Sequence, residues 1–168
     1  IGNAFRHTLW QAMIAKEFGS DIAIEVGNAH ESRERTNYNQ KTSLSLNKAD
    51  ELVDQLNNQI GRSLSSNSLS NSDLARKVLE TYVNKGLYQA VKGTDGKYSV
   101  QKVKLNNELY KITTEKLKKL DQTGAGSKVQ KQRQILKENT TFPITVGGKK
   151  KKKKQILYFF SNSYYRFY

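Results

Sequence analysis

The chain has no cysteine and, among its 168 residues, only two histidines, one tryptophan and one methionine. Without cysteine neither a disulfide framework nor a thiolate metal site is possible, and that lack fits an oxidising compartment as well as a reducing one. No apolar run approaches the roughly 18–20 residues that a membrane-spanning helix needs, so no transmembrane segment is expected. No basic leader with an apolar stretch precedes a cleavage site. The sequence opens on Ile1 and enters a helical pattern almost at once, which reads as a piece released or cut from something larger. Gly93-Thr94-Asp95-Gly96 does not match a phosphate-binding loop, and no nucleotide fingerprint, nucleophile elbow or zinc-protease motif is present. Kinase, dinucleotide-binding and hydrolase-triad chemistry are thereby set aside.

What is present suits one domain of ordinary size with a modest core: 36% of residues are hydrophobic and 26% charged. The formal net charge is +14. Lys149 to Lys154 and Arg166 supply seven of the 29 basic residues and no acid lies beyond residue 148, which leaves 22 basic against 15 acidic side chains over residues 1–148. A body of that balance favours approach to phosphate polyanions; its plainer reading is solubility.

Periodicity predicts a mainly α-helical, compact domain over residues 1–148 with a small β-hairpin at 87–104. A first helix runs from Asn3 to Phe18 and stops at Gly19. Phe5, Leu9 and Met13 form one row, and Asn3, His7, Trp10 and Ile14 an adjacent one. A second helix, capped by Ser20, reaches His30, with Ile22, Val26 and His30 as its expected buried stripe and with Ala23 and Gly27 small enough to admit a close neighbour. Residues 32–45 read as a surface loop. Asn47 is the expected cap of a third helix ending at Gly61, with Val53, Leu56 and Ile60 in the core. Asn57 shares their face and needs a polar partner, for which the two histidines are the obvious choice.

A Ser/Asn-rich linker over 63–72 leads to a fourth helix, capped by Ser72 and closed by Gly86, with Leu74, Val78, Leu79 and Tyr82 inward. Asp95-Gly96 between two β-prone runs signals the hairpin. A Lys- and Leu-rich helix follows at 106–121, a hinge at Gly124-Ala125-Gly126 and a short basic helix at 127–138. The remaining segment, 149–168, joins six lysines to an aromatic stretch. It reads as disordered or non-native, since six lysine codons in a row invite slippage; the other reading is a cationic segment for anionic lipid or nucleic acid.

Histidine is the side chain whose charge ordinarily changes near neutral pH, so the first 62 residues are where acid–base chemistry is expected. His7 and His30 would serve as a proton-transfer pair on RNA, whose 2′-hydroxyl is its own nucleophile. Arg6 would neutralise phosphate, with Arg62 and Asn3 as further substrate contacts. Asn57 or Asn58 would orient an imidazole, and Glu31 would tune its pKa. This ribonuclease reading needs no cofactor. An alternative places one divalent metal ion on His7, His30, Glu31 and Asp54 for phosphoester hydrolysis. A third makes the polar residues a satisfied buried network in a structural or translocation module. Trp10 reads as core; the plainer alternative for Asp54 is a solvated helix charge, and for Arg62 a cation at a helix end.

Asn-Ala-Phe-Arg-His-x-x-Trp-Gln, then Ala-His-Glu, then Asp-x-x-Asn-Asn-x-x-Gly-Arg, resembles α-helical domains at the C-terminal ends of large secreted bacterial proteins. These include haemagglutinin-like contact-dependent inhibition proteins and other polymorphic toxins. The matching positions are Asn3, Arg6, His7, Trp10, His30, Glu31, Asp54, Asn57, Asn58, Gly61 and Arg62, and the resemblance covers residues 1–62. It implies a toxin effector, covalently part of a larger secreted or surface-displayed protein, acting in the cytoplasm of a target bacterium. The expected partners are RNA, transfer RNA among the candidates, and a cognate immunity protein.

Overall fold

The computed structural model describes residues 2–31, 37–139, 145–146 and 149–150. Among the described residues, six helices and one main hairpin follow in chain order: α1 (Gly2–Phe18), α2 (Ser20–Glu31), α3 (Leu46–Leu64), α4 (Asn71–Lys85), β1 (Leu87–Lys92), β2 (Tyr98–Val103), α5 (Asn107–Leu117) and α6 (Ser127–Asn139). A short antiparallel pair, β3 (Thr145–Val146) with β4 (Lys149–Lys150), comes after them. The chain divides into compact units at 1–130 and 131–168. Residues 32–36 and 151–168, including most of the lysine-rich and aromatic stretch, lie outside the described residues.

Gly19 ends α1 with φ +89°, a conformation that costs a side chain dearly, and the chain reverses there into α2. The buried face of α2 is narrow. Ala23 packs with Ile14 and Ala15, and Gly27 is buried, whereas Ile22, Val26 and His30 are exposed. The expected apolar stripe on α2 is therefore wrong. Its small residues make the contact and rotate the branched ones outward.

Two of the expected caps shift as well. Ser45, not Asn47, precedes α3, and Ser70, not Ser72, caps α4 by accepting from Asp73 N–H at 3.1 Å. The third helix runs through Leu64 and takes in the start of the supposed linker. On its inner face Leu52, Val53 and Leu56 pack with Leu44, Ala49 and Val100 of β2. A second cluster joins Ala4 of α1 to Ala75, Leu79, Tyr82, Leu87, Leu105 and Leu117.

The hairpin pairs Leu87 with Val103 through to Lys92 with Tyr98, as the Asp-Gly signal suggested. The stretch at Gly124–Gly126 is pinned, contrary to the hinge expected of it: Asp121 Oδ1 accepts from the N–H groups of Thr123 and Ala125, and Asn71 N–H donates to Gln122 O at 3.0 Å.

Candidate functional site

On α1, Asn3, His7 and Gln11 recur every fourth residue; on α3, so do Asp54, Asn58 and Arg62. Residues four apart share a helix face, so each helix carries a polar row. The rows meet. Asn3 Nδ2 donates to Asp54 Oδ1 at 2.9 Å, His7 Nε2 lies 3.6 Å from Asp54 Oδ2, and Arg62 Nη1 donates to Gln11 Oε1 at 2.8 Å. Rising numbers on α1 meet rising numbers on α3, so the two helices run side by side in the same direction. Gly61 permits the approach: a Cβ there would sit 2.2 Å from the Thr8 carbonyl oxygen.

One end of this seam is closed. Gln11 is fully buried, and Arg62 is half-buried against it. Burial lowers the Arg62 pKa from its ordinary value, with nearby Tyr38 opposing the shift. The other end opens to solvent. Asn3 and Arg6 are exposed, and Arg6 Nη2 donates to Asn3 Oδ1 at 2.6 Å. Asn3 thus links the exposed guanidinium to buried Asp54.

His30 comes back along α2 to cover this open end. Its ring stacks on His7, with centroids 5.7 Å apart and planes 27° from parallel. Trp10 stands edge-on to both rings, at 6.1 Å from His7 and 5.3 Å from His30. It is half-buried and walls the pair in place. The inner histidine is only 6% exposed, and its pKa falls from 6.5 to about 4. Burial is the main cause; the charges of His30 and Arg6 push the same way, and Asn58 pushes back. Asn58 is fully buried beside His7, yet neither of its amide atoms reaches hydrogen-bond geometry, so that pairing is poorly aligned. At neutral pH His7 is therefore uncharged, and the exposed His30 ring stacks on a neutral one.

A consequence for stability follows from that depressed value. The fold favours neutral His7, so its contribution is fully present above about pH 6.5 and is lost as pH falls through about 4. Melting temperatures should decline over that window, and His7→Gln should flatten that part of the decline. An unchanged acid slope in His7→Gln would place its origin elsewhere.

The structure thus brings together His7, His30, Arg6, Asn3, Asp54 and Asn58. Asp54, offered from the sequence as an alternative metal ligand or a solvated charge, is buried between Asn3 and His7. Asn57 does not orient an imidazole. Its amide donates to Tyr88 O at 3.0 Å and accepts from Tyr88 N–H at 2.9 Å, fastening β1 to α3. Arg62, expected as a substrate contact, donates to Gln11 at the closed end of the seam, the opposite end from Asn3 and Arg6. Glu31 ends α2, and its side chain lies outside the described residues. Among the described residues no three His, Asp or Glu side chains converge as a set that could hold a metal ion. Gln11 was missed; its place four residues beyond His7, opposite Arg62, was the available signal.

The profile of one family, described as a domain of unknown function (DUF6973), matches residues 1–92. That span holds both polar rows, the histidine stack and the first hairpin strand. No curated protein and no solved structure matches.

Proposed function

The chain belongs to this DUF6973 family, and we propose that it is a metal-independent ribonuclease with His30 as its proton-transfer group. The observation that carries this reading is the exposed His30 ring stacked on a buried, neutral His7 beside exposed Arg6. RNA supplies its own nucleophile. His30 takes the proton of a 2′-hydroxyl while that oxygen attacks phosphorus; the bond to the 5′-oxygen breaks, and the leaving oxygen is protonated from solvent. Arg6 pairs with the phosphate oxygens as negative charge builds on them. His7 backs the reacting ring, and Asp54, Asn3 and Asn58 position His7.

The motif resemblance supports a setting for this activity: the effector of a larger secreted or surface-displayed bacterial protein, delivered into the cytoplasm of a target bacterium. A producing cell then needs an immunity protein, and a basic toxin suits an acidic one that covers the His30 face. Incubating the full chain with total RNA and with plasmid DNA, each with and without EDTA, tests the reading. RNA fragments with 2′,3′-cyclic phosphate ends that persist in EDTA are expected. Cleavage abolished by EDTA would transfer the chemistry to a metal ion, and intact RNA would remove the ribonuclease reading.

A further inference from the structure

A second cluster lies on the hairpin. The Tyr88 ring has two ammonium groups against it: Lys41 Nζ is 5.6 Å from its centroid and Lys102 Nζ 5.2 Å. All three residues are fixed by backbone. Asn57 brackets both main-chain groups of Tyr88, Lys102 sits directly across the hairpin from Tyr88, and the Lys41 carbonyl accepts from Val100 N–H at 2.8 Å. The ring itself is half-buried and packs against the Leu52–Leu56 cluster. Among the described residues neither lysine is in an ion pair, so two ammonium groups lie against one aromatic ring without a carboxylate bonded to either.

We propose that Lys41, Tyr88 and Lys102 form a second anchor for a single RNA strand, with the ammoniums on a phosphate and the ring under the adjoining base. A cation held over a ring is weakly bound compared with one on a phosphate, so both lysines turn to the incoming strand and leave the ring open for stacking. The placement connects the anchor to the histidines. Tyr88 is fastened to Asn57, and the next residue along α3, Asn58, lies against His7. Neighbouring residues of α3 thus hold the anchor's ring and the histidine that backs His30. The inference rests on the ribonuclease reading for its choice of ligand, but it concerns binding and is tested apart from cleavage.

The probe is a short fluorescent oligouridylate with 2′-O-methyl groups, which lacks the nucleophile and stays intact. Its binding to the full chain is followed by anisotropy across a range of KCl concentrations. For Lys41→Gln/Lys102→Gln the slope of log affinity against log salt should become shallower by about 0.7, the loss of one neutralised phosphate. Tyr88→Leu should weaken binding by about fivefold to a hundredfold with the slope preserved. Because leucine at 88 alters a packed ring, the lysine double variant, with both changes on exposed side chains, is the decisive one. A normally folded double variant with unchanged affinity and slope overturns the anchor, as does a wild-type chain that does not bind the probe. If RNA is cleaved while the anchor variants bind normally, the anchor alone fails. If the anchor variants behave as expected in a chain that leaves RNA intact, the cleavage reading alone fails.

Discussion

Replacing His30 with alanine should lower RNA cleavage by about 10²- to 10⁴-fold, the usual contribution of a positioned acid–base group, while leaving the melting temperature nearly unchanged. The two halves of that expectation come from the same fact. His30 is exposed and touches the structure mainly through its stack on His7 and the edge of Trp10, so little packing is lost with it. Its removal takes away the one imidazole at the open end that meets solvent directly. His7 is no substitute, since it lies beneath the surface with its Nε2 toward Asp54, and a pKa of about 4 makes it a poor base. Arg6→Ala should act differently. If RNA is the substrate, it removes the cation proposed to meet phosphate, so cleavage should weaken and its dependence on salt should become shallower. Initial rates on total RNA, with circular dichroism melts of each variant, measure both effects. A His30→Ala chain that melts like the wild type and cleaves as fast would remove His30 from the chemistry.

The helices and the hairpin were legible because each depends on a local signal: apolar periodicity, the glycines at 19 and 86, and Asp-Gly at 95–96. The polar site was legible in part. Asn3, Arg6, His7, His30, Asp54 and Asn58 stood out as chemistry-bearing residues, and the fold assembles them. What the sequence hid is which of two adjacent asparagines faces which partner. A helix turns about 100° per residue, so Asn57 reaches the hairpin backbone while Asn58 reaches His7, and only the position of β1 decides between them. The same blindness reversed the reading of α2. Periodicity cannot tell an apolar stripe that is buried from one left exposed because Ala23 and Gly27 make the closer contact. Arg62, grouped with the site by its motif, answers to Gln11, a residue with no catalytic signature of its own.

Gly61→Ala should be among the most destabilising single changes in this chain, despite replacing a poor helix former with the best one. The gain in helix propensity is about 1 kcal/mol. Against it stands a Cβ placed 2.2 Å from Thr8 O and 3.0 Å from Gln11 Cβ. The nearest obstacle is the backbone of α1, which cannot swing aside as a long side chain can, so the two helices must part. Overpacking of this kind costs typically 1–3 kcal/mol and sometimes more, and a contact this short belongs at or beyond the upper end. A net loss of about 2 kcal/mol, or a fall of about 4–8 °C in melting temperature for a chain of this length, is the expected result. Separation would also stretch the bonds across the seam, Asn3 to Asp54 and Arg62 to Gln11, and draw Asp54 away from His7. Cleavage should therefore fall even at temperatures where the variant remains folded, because a displacement of about 1 Å at a positioned group can cost about 10²-fold in rate. Gly2→Ala is the matched control, since that glycine is also helical and has nothing within 4 Å of its would-be Cβ. Thermal melts and RNA cleavage by both variants separate the contributions. If Gly61→Ala were as stable as Gly2→Ala, the close approach of α1 and α3 would be wrong, and the alignment of Asp54 with His7 would fall with it.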